Sequence, residues 1–428
     1  MFSITARALG AWLLLFCVSS LHAEDAARLT LPQAVERTLA GNPELKAFAF
    51  RLRAQEGRAV SAGIGPATEL KIDVENALGT GVARGLDAAQ FTFALSQVIE
   101  LGGKRSRRVE TAWAGVNLIE VERQAAQLDV LAEVARRFIH VAGDQEQLKL
   151  TQRATALAQG TRDAAQKRFE AAKAPEVELR RARVQLARAR VDEEHAEHEL
   201  LTSRRKLAAL WGDTKADFGT IAADLYRLPE AGDFETLIAR VQGNPNSLRL
   251  ASEARLRDAE VRLAETRARG DWTLGGGVRY LRESNDLAAV ASLSIPLFTG
   301  GRAEGAIAEA RAQRGETGAR QDAHRVRVQA QLFELHQELR HAITEATMLR
   351  ADALPELEAA LEATRYAFER GRYSYLEWVD AQRELVNVQR ALIEAAQNAH
   401  LHQAEIERLT GEPLVADSLP AAQTRDLP

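Results

Sequence analysis

The chain has 428 residues, 46% of them hydrophobic but only 5% aromatic, with 28 glycines and 11 prolines. Its 56 Lys and Arg residues face 60 Asp and Glu residues, a net charge of −4, and this balance leaves no electrostatic footprint for nucleic acid. The single cysteine, Cys17, lies in the first 23 residues, so a processed chain has no thiol for disulfides, metal ligation or nucleophilic catalysis.

The chain opens with Arg7, the apolar run ALGAWLLLFCVSS and the small-residue site LHA at 21–23, the pattern of a secretory signal peptide. The apolar run falls short of the ~20 residues a spanning helix needs. Bulky Phe16 before Cys17 argues against lipid attachment. Removal of residues 1–23 leaves 55 basic against 60 acidic residues, a net charge of −5. No later stretch approaches ~18 continuous apolar residues. Any passage through a membrane must therefore be made by strands.

Past residue 23 the sequence repeats itself. AVERTLAGNPEL at 34–45 returns as LIARVQGNPNSL at 237–248, and LSQVIELGGKR at 95–105 returns as LSIPLFTGGR at 293–302. RFEAAKAPEVELRRARVQL at 168–186 returns as AFERGRYSYLEWVDAQREL at 367–385, and LAALWGD at 207–213 as IERLTGEP at 406–413. The offsets stay between about 198 and 203 residues, which marks an internal duplication. Residues 24–230 are expected to form one structural repeat, 231–413 the second, and the Pro-, Ser- and Asp-containing 414–428 a loose tail.

Each half predicts a short helix, two strands, a long helix, a break and another long helix. In 69–76, Leu70, Ile72 and Val74 alternate with Glu69, Lys71, Asp73 and Glu75; in 91–101, Phe91, Phe93 and Leu95 alternate with Thr92, Ala94 and Ser96. Period-two alternation with a Gly-rich loop between predicts a hairpin, repeated more weakly at 271–283 and 286–298. A helix from Lys104 to about Ala172 would be a rod on the order of 100 Å long at ~1.5 Å per residue. Ala182, Leu186, Ala189, Ala196, Leu200, Leu207 and Leu210 follow a four-three spacing interrupted by Glu193 and Ser203. Leu385, Val388, Leu392, Ala395, Ala399, Ile406 and Leu409 repeat it, with His402 as the interruption. These are coiled-coil seams. Two hairpins cannot close a barrel, and open edges do not survive in lipid, so other copies must complete the wall. Three copies supply about twelve strands, within the range of outer-membrane barrels.

The order LTLPQAVERTLAGNPEL, strand pair, LSQVIELGGKR, LSIPLFTGGRAEGAIAEARA and YSYLEWVDAQREL resembles the TolC-type outer-membrane efflux factors, from about Leu29 to Gly411. The VEN…LSQVIELGGKR portion is most similar to the CzcC-like branch, associated with export of heavy-metal cations. The resemblance implies a mainly α fold: a homotrimer whose long helical hairpins form an α-barrel tunnel across the periplasm, continued by a small shared β-barrel in the outer membrane of a Gram-negative bacterium. Its implied partners are a periplasmic adaptor protein and an inner-membrane RND-type pump.

Within that frame, Gly102 and Gly103 in one copy and Gly300 and Gly301 in the other mark the barrel-to-tunnel junctions, where glycine relaxes a sharp bend. Pro296 helps end strand pairing in the second copy, whereas the first has Val98. Glu377 and Asp380 are one helical turn apart and, by the resemblance, match the acidic positions ringing the periplasmic entrance. The plainer reading is a solvated helix face. Arg181 stands in the first copy where Asp380 stands in the second, which suggests that Arg181 pairs with Asp380 or a neighbouring acid to hold the entrance shut. His195 and His198, at i and i+3, could hold a soft divalent ion weakly, though a charged helix surface explains them as well. No hydrolase elbow, zinc-protease pair or P-loop is present, and GTGVARG at 79–85 leads into a strand where a nucleotide loop would lead into a helix. The chain therefore reads as a non-enzymatic conduit without cofactor, exporting divalent cations such as cobalt, zinc or cadmium. The competing readings are the same conduit for drugs, organic solvents or a polypeptide, and a periplasmic coiled-coil scaffold without a pore.

Overall fold

The computed structural model describes residues 28–411; the expected signal peptide at 1–23 and tail at 414–428 lie outside the described residues. Helix α1 (Leu31–Gly41) starts from a capping box in which Thr30 accepts from the Gln33 N–H and Gln33 returns the bond. Asn42 then caps α2 (Pro43–Ala62) through the Leu45 N–H, and Asn244 caps α6 (Pro245–Thr266), so Gly-Asn-Pro ends one helix and begins the next. Strands β1 (Glu69–Glu75) and β2 (Gln90–Ile99) follow α2, and β3 (Trp272–Leu281) and β4 (Asp286–Ser294) follow α6. Between them run α3 (Lys104–Glu170), α4 (Glu176–Ala208) and the short α5 (Phe234–Val241).

After the sheet come α7 (Gly300–Met348), α8 (Leu354–Glu369) and α9 (Tyr375–Thr410). Where one long helix was expected in the second half, a π turn over Leu349–Ala353 separates α7 from α8. Pro355, in the first turn of α8, explains it. Proline has no N–H to donate and its ring crowds the carbonyl four residues back, here Ala351, so the helix widens by a residue to pass it. The last strand also stops earlier than the alternation predicts, at Ser294, two residues before Pro296.

The four strands form one antiparallel sheet in sequence order, with β1 and β4 unpaired at its edges. The helices form two tiers below it. Nearest the sheet, α2 packs on α3, α3 on α6, and α6 on α7; farther away, α4 packs on α3, α3 on α9, and α9 on the far part of α7 and on α8. Each tier is thus a curved layer with two open edges, and the edges of all three tiers line up: β1, α2 and α4 on one side, β4, α7 and α8 on the other. The expected seams are the buried ones, with Ala182, Leu186, Ala196 and Leu207 of α4 and Leu385, Leu392, Ala395, Ala399, Ile406 and Leu409 of α9 all buried. On the opposite face of α4, Val177, Val184 and Val191 follow a second heptad spacing and stay 51%, 51% and 62% exposed.

Residues 212–233 form a strap that crosses the helices between the two tiers. The Ile221 N–H reaches Gln145 Oε1 on α3 at 2.7 Å, and Leu29 bridges to the same segment. From the other half, His336 Nε2 lies 2.9 Å from the Gly232 carbonyl, His400 Nε2 lies 3.1 Å from the Leu225 carbonyl, and Arg350 donates to the Tyr226 carbonyl at 3.2 Å. The largest core cluster sits beneath the strap, where Phe138, Ile139, Leu207, Trp211, Phe218 and Ile221 bring α3, α4 and the strap together.

Candidate functional site: the sheet lumen and the hairpin tips

The sheet is built inside out. Leu70, Ile72 and Val74 of β1 pair with Leu95, Phe93 and Phe91 of β2, and these in turn with Gly276, Val278 and Tyr280 of β3. This apolar face is the exposed one: Leu70 is 63%, Leu95 58% and Val278 53% exposed. The opposite face carries Glu69, Lys71, Asp73, Glu75, Thr92, Ser96 and Arg279, with Thr92 only 4% exposed. A Cβ added to Gly277 on the polar face would strike the Phe93 carbonyl, whereas one added to Gly276 on the apolar face would meet nothing within 4 Å. The polar face is therefore the crowded, concave one. An apolar outer surface around a polar concave wall is the arrangement of a barrel in lipid.

The two strand-to-helix junctions, β2 to α3 and β4 to α7, differ in construction. Gly102 and Gly103 both take left-handed φ, 74° and 73°, just ahead of α3. Asp271 closes this bend by accepting from the Leu101 N–H at 3.0 Å and from Lys104 Nζ at 2.7 Å, and Arg108 pairs with Glu100. At the second junction Gly300 and Gly301 are already inside α7, with no left-handed φ, and Phe298 makes the turn instead at φ 59°. Pro296 packs there against Gly270, where no Cβ could fit.

At the far end, loops 171–175 and 370–374 turn α3 into α4 and α8 into α9, and the two tips pack on each other. Phe368, Tyr375, Trp378 and Val379 of one tip are buried with Ala165 and Ala182 of the other, and the Phe368 and Trp378 rings lie 4.7 Å apart. Arg168 of α3 donates to the Phe368 carbonyl at 2.5 Å while its guanidinium stacks 4.4 Å from the Phe368 ring. The Tyr375 hydroxyl and Trp378 Nε1 are buried with no hydrogen-bond partner among the described residues. Burial pushes the Tyr375 hydroxyl pKa up.

Glu377 and Asp380 project from this tip into solvent on one face of α9. Glu377 is also structural: it forms a capping box with Ser374, whose N–H lies 2.6 Å from its carboxylate, and these bonds hold its pKa below the usual carboxylate value. Among the described residues Arg181 forms no ion pair with Asp380. The partner of Asp380 is Arg383, one turn along the same helix at 3.5 Å. His195 and His198 line a groove of about 420 Å³ with Arg137, His140, Asp144, Glu199 and Lys206. His195 is paired to Glu199 at 3.3 Å, and among the described residues no three His, Cys, Asp or Glu side chains converge on a metal position.

Sequence reasoning missed Arg168 and Arg279. Arg279 had a visible signal, a base inside a Gly-rich alternating run; Arg168 had none, because its partner is a backbone carbonyl. Among the described residues no helix is long and apolar enough to cross a membrane.

An inside-out sheet set on rods of 67 and 49 residues defines a class: the outer-membrane subunit of a tunnel-type channel. Its fold is that of a channel wall, not of an enzyme. The Outer membrane efflux protein family profile matches residues 34–213 and 244–412, and the chain belongs to that family. It is 29% identical to the cobalt-zinc-cadmium resistance protein CzcC of Cupriavidus metallidurans over 388 residues, 91% of each chain. It is 26% identical to the nickel-cobalt-cadmium resistance protein NccC of Alcaligenes xylosoxydans xylosoxydans, over 69% of this chain and 66% of that one. The crystal structure of CusC, described with transmembrane channel formation, superposes with a TM-score of 0.73 at 14% identity, over 89% of this chain and 91% of that one. The protein is an efflux protein of the outer membrane.

Proposed function

We propose that three copies close edge to edge into a passive conduit that exports divalent heavy-metal cations, cobalt, zinc or cadmium among them. The observation that carries this reading is the alignment of open edges in all three tiers. A fourfold strand layer and two fourfold helix layers, each unpaired on both sides, are complete only when β1, α2 and α4 of one copy meet β4, α7 and α8 of the next. The valine stripe of α4 gives the lower seam an apolar surface to bury. The cation cargo is supported by the resistance proteins to which the chain is similar along most of its length.

In this reading the two halves are copies of one duplicated unit divided near residue 230. The hairpin tips form the periplasmic entrance, where Glu377 and Asp380 from three copies ring the mouth and favour cations over anions. The chain docks on a periplasmic adaptor protein and an inner-membrane RND-type pump that supplies the energy, so it needs no catalytic group and no cofactor. Single-channel conductance of the purified protein in a planar bilayer tests it. Discrete steps reduced by Co²⁺ or Zn²⁺ from one side support a cation conduit. Absence of steps from folded protein, in both the wild type and an Arg168→Ala variant, together with recovery from the soluble periplasm, would establish the scaffold reading.

A further inference from the structure

The concave face of the sheet carries a charge pattern that the entrance acids do not explain. Its strand residues include the acids Glu69, Asp73, Glu75 and Asp286 and the bases Lys71 and Arg279. Lys71 Nζ pairs with Asp73 at 3.3 Å along β1. Arg279 reaches across three strands: Nη2 lies 3.0 Å from Glu75 on β1, Nε donates to Thr92 Oγ1 on β2 at 2.9 Å, and Nη1 donates to Gln90 Oε1 at 3.2 Å. Three partners, one for each guanidinium nitrogen, use the fixed fork of the group, which a lysine could not reproduce.

The side chain is therefore drawn flat along the wall and only 33% exposed, so it does not project into the lumen. Both bases of this face are spent on acids. Glu69 and Asp286, at the first positions of β1 and β4, form no ion pair among the described residues. On closure, one ring of free carboxylates stands at the tunnel end of the sheet and a second at its far end, with a neutralised belt between them.

We infer that the sheet lumen is a cation filter at the exit of the conduit, and that Arg279 determines its selectivity by staying folded onto Glu75. The ligand class is the hydrated metal cation, preferred over anions. The inference rests on the conduit reading above. If Arg279 lost its partner, a positive charge from each copy would face the stream on the concave face, two residues from crowded Gly277. If Arg279 were removed, Glu75 would join the free carboxylates.

The two changes must push selectivity in opposite directions, and a purely structural ion pair gives no such opposition. The test is the reversal potential of the full-length protein in a planar bilayer across a KCl gradient. Recordings are made in a Glu377→Gln, Asp380→Asn background so that the entrance acids do not contribute, and with Arg168→Ala added so that a shut entrance cannot hide the pore. The expected result is a preference for K⁺ over Cl⁻ that rises about threefold in Arg279→Gln, falls about threefold in Glu75→Gln, and returns close to the parent value when both are combined. Steps with the same reversal potential in all four proteins, or a shift in the same direction for both single variants, would overturn the filter and leave the conduit standing. Absence of steps in the parent, together with its recovery from the soluble periplasm, overturns both.

Discussion

Arg168 and Phe368 lie 200 residues apart in sequence and tie the two hairpin tips together by a bond to the backbone and a stack on the ring. Both contacts are lost at once if α8 and α9 swing away from α3. A bond from a charged donor contributes about 1.5–3 kcal/mol, and the stack adds about 0.5–1. Arg168→Ala is therefore expected to enlarge or prolong open steps in bilayer recordings. Arg168→Lys, which keeps the charge but not the planar fork, should fall between the two. Identical open probability in Arg168→Ala and wild type would show that the tips are held by something else.

Glu377 and Asp380 can be separated by their local roles. Glu377→Gln keeps the capping box, because an amide oxygen still accepts from Ser374. Glu377→Gln with Asp380→Asn should thus leave the thermal midpoint within a few degrees of wild type. The Co²⁺ concentration needed to halve the conductance should rise about tenfold. A large stability loss with unchanged block would assign both acids to the fold alone.

The two neighbouring glycines of β3 offer a paired test of which sheet face is concave. A methyl at Gly277 would collide with the Phe93 carbonyl and lie 2.6 Å from Ala94 Cα, whereas Gly276 has open space. Gly277→Ala should cost about 2 kcal/mol or more and reduce the amount of assembled protein recovered from outer membranes. Gly276→Ala should match wild type. Equal yields would mean that the sheet bends the other way.

His336 and His400 hold the strap from α7 and α9, each through a backbone carbonyl. Replacing either with alanine leaves a cavity and an unpaired carbonyl, at about 2–4 kcal/mol. Amide hydrogen exchange checks this locally: residues 221–233 should lose protection, while the lower part of α3 keeps it. Unchanged protection of the strap in both variants would place its anchor on the Gln145 side.

Glu407 near the end of α9 is a buried carboxyl. Gln403 donates to one oxygen at 2.8 Å, and the other oxygen has no partner among the described residues. Burial raises its pKa above the usual carboxylate value. An acid with a raised folded pKa destabilises the fold when ionised, and this penalty is complete above the folded pKa and gone below the unfolded one. Glu407→Gln should therefore raise the melting temperature at pH 7–8 and lose that advantage as pH falls into the ordinary carboxylate range. A uniform shift across pH would point to packing, not charge.

The strands and long helices were legible because period-two alternation and uninterrupted heptads are local signals. Leu70, Ile72 and Val74 announce a strand without any neighbour, and Leu385 to Leu409 announce a seam. The strap was not legible: it has no period, and its anchors His336 and His400 act through carbonyls 104 and 175 residues away. Pro355 was visible, but whether a proline kinks a helix or widens one turn depends on what packs against it. The matched glycine pairs marked two corresponding junctions, with Pro296 against Val98 as the expected difference. Only the first uses left-handed glycines, because Phe298 takes over that role in the second.

The aligned open edges have a genetic consequence. If a ring needs three copies and every edge of each copy must be met, one faulty subunit spoils two good ones. A cell making equal amounts of normal and edge-defective chain would assemble only about one ring in eight from normal copies alone. Edge variants on β1, α4 or α8 should therefore behave as dominant alleles, sensitising cells that still carry an intact gene, whereas substitutions on the buried seam of α9 should simply be recessive.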